Sequence, residues 1–440
     1  MYLKNLQTIT GRSPEKMSNS SNKYLNSNEI SLKGSRLSIA AFLLLIIPLI
    51  VGCESPGSVG EGLGPDGSSV TSDEYSVTNI TPLEKNFFSG RLSNSALGYI
   101  EDPVYGTLNA VAVLKPVIST SAVDSLAEGD TMTLRMVFNS PVYGDELSVS
   151  EFEIFELADQ WRGNELKYNE TAPIDFSNKV AEFQIADEDT VEVELSAEWV
   201  EKYSEYFNSS DANRDSLYTR EFTGLAIVPA ETNSKVRFLR HTPADQEEDP
   251  AITEFRIYKS DFDEEDEESA ELVHSLGLRD WGSYVVRSDE PTYDSGYVLH
   301  NFDRLMEVNL DLPLSDLQSK NIVNASLVFS IDRSDEQVFN AIARPEVETI
   351  RAHSFTTPPS DLISEIFISP PRFGADINED EQVFKVDITQ FVLNAAYGDA
   401  DEVPLYFSVQ TVNGILYSIK LHDDSAPQGR QPRLIITSVE

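Results

Sequence analysis

From Tyr75 to its end the chain is written in short apolar runs rich in Val, Ile, Phe, Thr and Tyr. Each run is closed by Gly, Pro, Asn, Asp or Ser. That punctuation is the signature of β-strands joined by turns. The candidate strands are Leu108–Leu114, Thr131–Phe138, Phe152–Leu157, Val180–Ile185, Val191–Leu195, Phe222–Val228 and Ile252–Tyr258. A block of acids from Asp261 to Glu268 then interrupts the series, and so dense a run of like charge reads as a solvated linker. Strands resume at Val323–Ile331, Glu348–His353, Val383–Ile388, Leu405–Gln410, Ile415–Leu421 and Leu434–Val439. With a single cysteine in 440 residues, no disulfide framework is available and the core must come from burial alone.

The two halves resemble one another. Thr190–Ser196 runs into a helical stretch, Ala197–Phe207, and Gln382–Thr389 runs into Gln390–Tyr397. Ser196 and Thr389 are the candidate N-caps, because their side-chain oxygens can accept from the first free helical N–H groups. Each half closes on a proline and a last strand, Pro250 before Ile252–Tyr258 and Pro432 before Leu434–Val439. The predicted fold is mainly β, with two related antiparallel β-sandwich (jelly-roll-like) domains and short helices. Predicted boundaries are a signal peptide at 1–52, a Gly/Ser/Pro-rich flexible tether at 53–73, a first sandwich at 74–260, an acidic linker at 261–271 and a second sandwich at 272–440.

The leader carries six basic residues against two acids, and then the uncharged run Leu37–Val51. That run is shorter than the about 20 apolar residues a membrane-spanning helix needs. A basic leader, a short apolar core and small residues before a cut site are the parts of a secretory signal peptide. The segment Ile50-Val51-Gly52-Cys53 resembles the lipobox of bacterial lipoproteins, which implies cleavage before Cys53 and acylation of its thiol. Glu54 follows where an aspartate would stand in a retained lipoprotein, so the resemblance implies passage to the outer membrane and a lipid-anchored, surface-exposed body.

The net charge of −41 becomes −45 once residues 1–52 are removed. Nucleic acid and anionic lipid surfaces would repel such a chain, so neither is an expected partner. The histidines His241, His274, His300, His353 and His422 share no ligand spacing. No serine, cysteine or threonine sits in a nucleophile motif, and no Gly-rich loop follows a strand into a helix. The sequence therefore predicts no enzyme and implies no cofactor.

Further stretches carry a family resemblance. Gly98-Tyr99-Ile100-Glu101-Asp102-Pro103-Val104-Tyr105-Gly106, Tyr143–Leu147 with Phe152–Leu157, Phe222–Pro229 and Glu254–Tyr258 are similar to segments of uncharacterised Bacteroidetes-type surface lipoproteins, a domain of unknown function. The resemblance implies a location and a β fold, not a reaction. Asn324–Phe329, Val386–Thr389 and Pro432–Ile436 look like jelly-roll modules of glycan-associated proteins, without the tryptophan usual after the Asp-x-Thr strand.

Two constellations are candidate sites. Asp376, Asn378, Asp380 and Asp387 occupy places 1, 3, 5 and 12 of a calcium loop, where oxygens would ring a hard cation, but Glu381 stands where the sharp turn needs glycine. Asp211–Asp215 opens in the same way. Trp281, Tyr284, Tyr293 and Tyr297 cluster after the acidic block, where aromatic faces are available for glycan contact. The reading expected is a non-enzymatic binding or structural module held to the membrane by lipid, with a glycan or another surface protein as partner. The alternative is a glycan-binding accessory protein or glycan-processing enzyme.

Overall fold

A computed structural model describes residues 69–118, 125–243, 251–260 and 273–439, apart from 294, 358 and 399–402. They belong to one compact unit, 68–440. Cys53, the leader and the tether up to residue 68 lie outside the described residues. The chain is mainly β, 46% strand against 12% helix, in two curled antiparallel sheets, as the turn-punctuated runs predict.

The path between the sheets is not the simple succession that the sequence suggests. Strands β1 (Val70–Ser76) and β2 (Ile80–Glu84) open the chain. Sheet I follows, built from β3 (Asn94–Asp102), β4 (Gly106–Pro116), β5 (Thr131–Gly144), β6 (Ser150–Leu157), β7 (Ile174–Ile185), β8 (Thr190–Glu194), β9 (Leu225–Pro229), β10 (Lys235–Arg240), β11 (Glu254–Tyr258), β12 (Val273–Leu276) and β13 (Leu278–Ser288). Sheet II takes β14 (Tyr297–His300), β15 (Arg304–Val308), β16 (Asn321–Ser330), β17 (Thr349–Ser354), β18 (Phe373–Asn378), β19 (Val383–Asp387), β20 (Leu405–Val409), β21 (Ser418–Leu421) and β22 (Arg433–Val439). It also takes β1, which pairs with β22, and β2, which pairs with β15. Sheet I is thus inserted into sheet II between β2 and β14.

Two predicted boundaries change accordingly. The acidic block does not join two sheets: β11 before it and β12 after it pair with each other, Tyr258 opposite Val273. Residues 70–73, placed in the tether by their polarity, lie in β1. That strand buries no residue, so it shows no apolar alternation. Its backbone pairing is supplemented by hydroxyl contacts, Thr71 with Ser438 at 3.1 Å and Ser72 with Thr437 at 3.0 Å.

Sheet II runs β1-β22-β16-β19-β18-β17-β20-β15-β14-β21. It curls back on itself where Ile331 bridges Leu421, with Asp332 N–H donating to the Lys420 carbonyl at 2.8 Å. Its interior is filled by residues such as Leu327, Phe329, Phe384 and Phe407. Ile100, Leu108, Tyr143 and Phe238 of sheet I belong to the same apolar cluster, so the two sheets share a core.

Two of the six helices among the described residues, Ala197–Phe207 and Thr389–Tyr397, sit where the sequence places them; the other four are not read from the sequence. Helix α1 (Ala197–Phe207) is capped by Ser196, whose Oγ accepts from the Trp199 N–H at 3.4 Å. It buries Trp199, Val200, Tyr203 and Phe207, one face at helical spacing. Helix α2 (Arg214–Glu221) adds Tyr218 to the same aromatic group. Four more helices follow in sheet II: α3 (Leu314–Leu317), α4 (Glu336–Phe339), α5 (Leu362–Ile368) and α6 (Thr389–Tyr397). At α6 the capping expectation is corrected. Ile388 holds the cap position, while Thr389 Oγ1 donates to Asp387 at 2.6 Å and accepts from the Ala325 N–H at 2.9 Å. The threonine thereby fastens the helix start to β16.

Candidate functional site

The calcium candidates do not converge. Asp376 and Asn378 lie in β18 and Asp380 in the following turn, where Asn378 Oδ1 accepts from the Glu381 N–H at 3.1 Å. Val383 faces Asn378 across the hairpin, so Asp387 is four residues further along β19, roughly 13 Å away. There its carboxylate caps Thr389, at 2.9 Å from the backbone N–H. Asp211 likewise accepts from the Asn213 N–H at 2.7 Å as the chain turns into α2. Among the described residues no group of three or more His, Cys, Asp and Glu is arranged to hold a metal ion.

The four aromatic candidates form no common platform. Tyr284 is buried in a small apolar cluster of sheet I, and Trp281, three residues earlier on β13, packs against a different one. The Trp281 indole N–H donates to the Leu92 carbonyl at 2.7 Å. Tyr293 donates to the Val104 carbonyl, and Tyr297 packs on the sheet II core.

What the fold brings together instead is a pair of clefts at the junction of the sheets, on either side of a ridge at Ala341–Ala343. The larger, of about 1040 Å³, lies between the chain from Arg333 to Glu348 and the β18–β19 turn. The smaller, of about 630 Å³, lies between the ridge and three segments of sheet I: Tyr99–Glu101, Gly144–Asp145 and Glu231–Ser234. Both volumes are of the size that ligand sites occupy.

The ridge is held by one buried ion pair. Arg344 donates to Asp102 through Nε at 2.6 Å and Nη2 at 2.8 Å, a planar fork on a carboxylate. Asp102 also accepts from the Tyr143 hydroxyl at 2.7 Å and from the N–H groups of Val104 at 2.7 Å and Tyr105 at 3.0 Å. Burial pushes both tyrosines well above their ordinary range, and the Asp102 charge raises them further. Arg344 also donates to the carbonyls of Phe339 and Ile342, and the Gly144 N–H donates to the Ala343 carbonyl at 2.9 Å. Asp102-Pro103 stands at the centre of the Gly98–Gly106 segment that carried the family resemblance, but its partner Arg344 is 242 residues away.

The opposite wall of the smaller cleft is equally fixed. Lys235 is 1% exposed, and its ammonium donates to the carbonyls of Glu146 at 2.9 Å, Ser148 at 2.6 Å and Ala186. All three ammonium hydrogens are used. Gly144 has φ +119°, and a Cβ there would stand 2.3 Å from the Ser234 carbonyl oxygen, so only glycine lets these strands close up.

Ser418, which lines the larger cleft, touches His300 at 2.7 Å, a contact that invites a nucleophile reading. The hydrogen-bond directions decide against it. Arg287 only donates, so His300 Nε2, 2.7 Å from its Nη1, is an acceptor. Nδ1 then carries the proton and donates to Ser418 Oγ, the reverse of general-base geometry. Burial and the nearby Arg287 and Arg304 hold His300 far below its ordinary pKa, so it stays neutral. His241 meets Ser95 at 2.8 Å in a wholly buried setting, where burial pushes the imidazole down to about 3.

Beside His300 lies a third cavity of about 330 Å³, lined by Glu84, Lys85, Asn86, Asn169, Arg287 and Asp303. Asp303 Oδ2 accepts from Arg287 at 2.6 Å, while Oδ1 is buried without a partner. Burial pushes this carboxyl up to about 6, against the pull of Arg287 and Arg304. A carboxyl whose folded pKa exceeds its unfolded value of about 3.9 favours the folded state most below that unfolded value. The contribution is lost as pH rises through about 6. Asp303→Asn is therefore expected to lose less melting temperature than the parent between pH 4 and pH 7. Equal slopes for the two proteins in that window would contradict the assignment.

No protein-family model matches the chain, and no curated protein matches it.

Proposed function

We propose that this chain is a lipid-anchored outer-membrane or cell-surface protein whose folded body is a non-enzymatic binding module. The observation that carries the reading is the apolar run Leu37–Val51, ending at the chain's one cysteine, Cys53. One acylated residue bearing two or more chains anchors a protein stably, whereas a single chain does not. The net charge of −45 left once residues 1–52 are removed keeps the body soluble and repels nucleic acid and anionic lipid. Binding belongs to the two clefts beside the Ala341–Ala343 ridge, whose walls are fixed by Lys235 and Arg344 before any partner arrives. Pre-organised walls spare the entropy of ordering loops on binding. The two serine–histidine contacts among the described residues supply neither an activated nucleophile nor a base, which favours a binder over a hydrolase.

The test is acylation. Cells expressing the chain with radiolabelled palmitate are expected to label the parent and to leave Cys53→Ala unlabelled and unprocessed. A Cys53→Ala protein that takes up label and partitions into membranes like the parent would overturn the anchor.

A further inference from the structure

We propose that the smaller cleft is a docking groove for an extended, basic, apolar-studded peptide segment of a partner protein. The proposal deepens the binding-module reading and rests on it. It commits to one occupant because the two walls of the cleft differ in chemistry. The ridge wall is the apolar strip Ala341-Ile342-Ala343, with Ile100 behind it. The sheet I wall carries Glu101, Asp145 and Glu231, all exposed, and no lysine or arginine lines the cleft.

Among the described residues the ion pairs found do not involve Glu101, Asp145 or Glu231. The buried Lys235 ammonium, hydrogen-bonded to carbonyls behind the wall, attracts Asp145 without pairing with it and does not line the cleft, so Glu101 and Glu231 carry most of the uncompensated charge. Glu101 accepts from the Tyr99 hydroxyl at 3.3 Å, and desolvation, then the charges of Glu101 and Glu231, hold that phenol above its ordinary pKa. A ligand bringing positive charge to this wall is favoured, and an anionic one is rejected.

An extended strand matches the two walls at once, because successive side chains point to opposite faces. Apolar residues on one face lie along Ala341–Ala343, and lysines or arginines on the other face meet the carboxylates. Polyamines and simple cations answer only one wall. The groove needs no induced fit. Gly144 ties the walls together through its N–H to the Ala343 carbonyl, and the Asp145 N–H donates to the Ser234 carbonyl at 3.1 Å.

The experiment uses the full chain in non-ionic detergent micelles and a fluorescein-labelled acetyl-(Lys-Val)4-amide peptide, read by anisotropy. Acetyl-(Lys-Gly)4-amide and acetyl-(Glu-Val)4-amide are the comparison peptides. The expected order is (Lys-Val)4 tightest, (Lys-Gly)4 weaker and (Glu-Val)4 without measurable binding. Glu101→Gln/Glu231→Gln is expected to weaken (Lys-Val)4 roughly fivefold or more, since two partly exposed pairs are lost. Glu198→Gln/Glu201→Gln, which removes the same charge from the exposed side of α1, is expected to change binding less than twofold. Ala343→Trp, filling the groove from an exposed position, is expected to abolish binding while leaving the melting temperature near the parent's.

Equal weakening by the two double variants, or equal binding of (Lys-Gly)4 and (Lys-Val)4, would reduce the effect to general polyelectrolyte attraction and overturn the groove. Acylation of Cys53 is read separately, so failure here leaves the anchor untouched. Failure of acylation leaves the peptide result standing.

Discussion

Trp199→Ala is expected to destabilise the folded body by about 3–5 kcal/mol, the range for removing a large aromatic side chain from a packed core. Trp199 is 2% exposed, and its ring lies 5.5 Å from Phe222, 5.9 Å from Tyr203 and 5.9 Å from Phe255. It joins α1 to the C-terminal end of α2 at Phe222 and to β11 of sheet I, so its removal leaves a hole bounded by three elements that cannot all move in. The indole N–H is buried without a partner, so no hydrogen bond is lost and the cost is packing alone. Trp199→Phe keeps a ring in place and should lose clearly less. The check is the urea midpoint with unchanged denaturant slope. A loss below about 1 kcal/mol for the alanine variant would mean that α1 is not packed on sheet I as described.

That helix illustrates what the sequence makes legible. Local chemistry places α1 at Ala197–Phe207 because its apolar residues recur at helical spacing behind a serine cap. The apolar strands β4, β6, β16 and β20 are equally plain, being buried runs of Val, Ile, Leu and Phe. β10 is missed because Lys235 and Arg237 interrupt its pattern, and both are buried. Their charged heads find backbone carbonyls, Lys235 on Glu146 and Ser148 and Arg237 on Glu188 at 2.7 Å, partners that no local window reveals. β13 is missed for a similar reason, since Asp280 is buried against Arg91 at 2.8 Å. The exchange of β1 and β2 into sheet II depends on pairings such as Tyr75 with Leu434. Nothing in the polar run Val70–Ser76 announces a partner so distant.

The clefts are hidden in the same way. The smaller one is assembled from four segments, near positions 100, 145, 232 and 342; the first two lie in stretches that carry the family resemblance, but nothing in any of them announces the others as neighbours. The calcium pattern and the aromatic cluster were visible because their residues are close in sequence. Strand geometry separates them, since an extended chain carries Asp387 away from the turn and sends Trp281 and Tyr284 to different clusters.

Arg344→Ala is expected to cost about 3–5 kcal/mol, because it leaves a buried carboxylate without its counter-charge. The Asp102 side chain is 0% exposed and that of Arg344 is 7% exposed. Three donors remain on the carboxylate after the change, Tyr143 and the N–H groups of Val104 and Tyr105, but they are neutral. Lysine should not restore the loss, since a point charge reproduces neither the two-pronged contact nor the donation to the Phe339 and Ile342 carbonyls. Asp102→Asn/Arg344→Met removes both charges together and should cost less than the two single changes added, the mark of direct coupling in a double-mutant cycle. Because Asp102 belongs to sheet I and Arg344 to the β16–β17 connection of sheet II, the same variants also report on the ridge. Arg344→Ala should weaken (Lys-Val)4 binding although Arg344 does not line the smaller cleft, since the Ala341–Ala343 wall loses its fastening. Additive single changes, or a lysine variant as stable as the parent, would show that the ion pair does not hold the two sheets together.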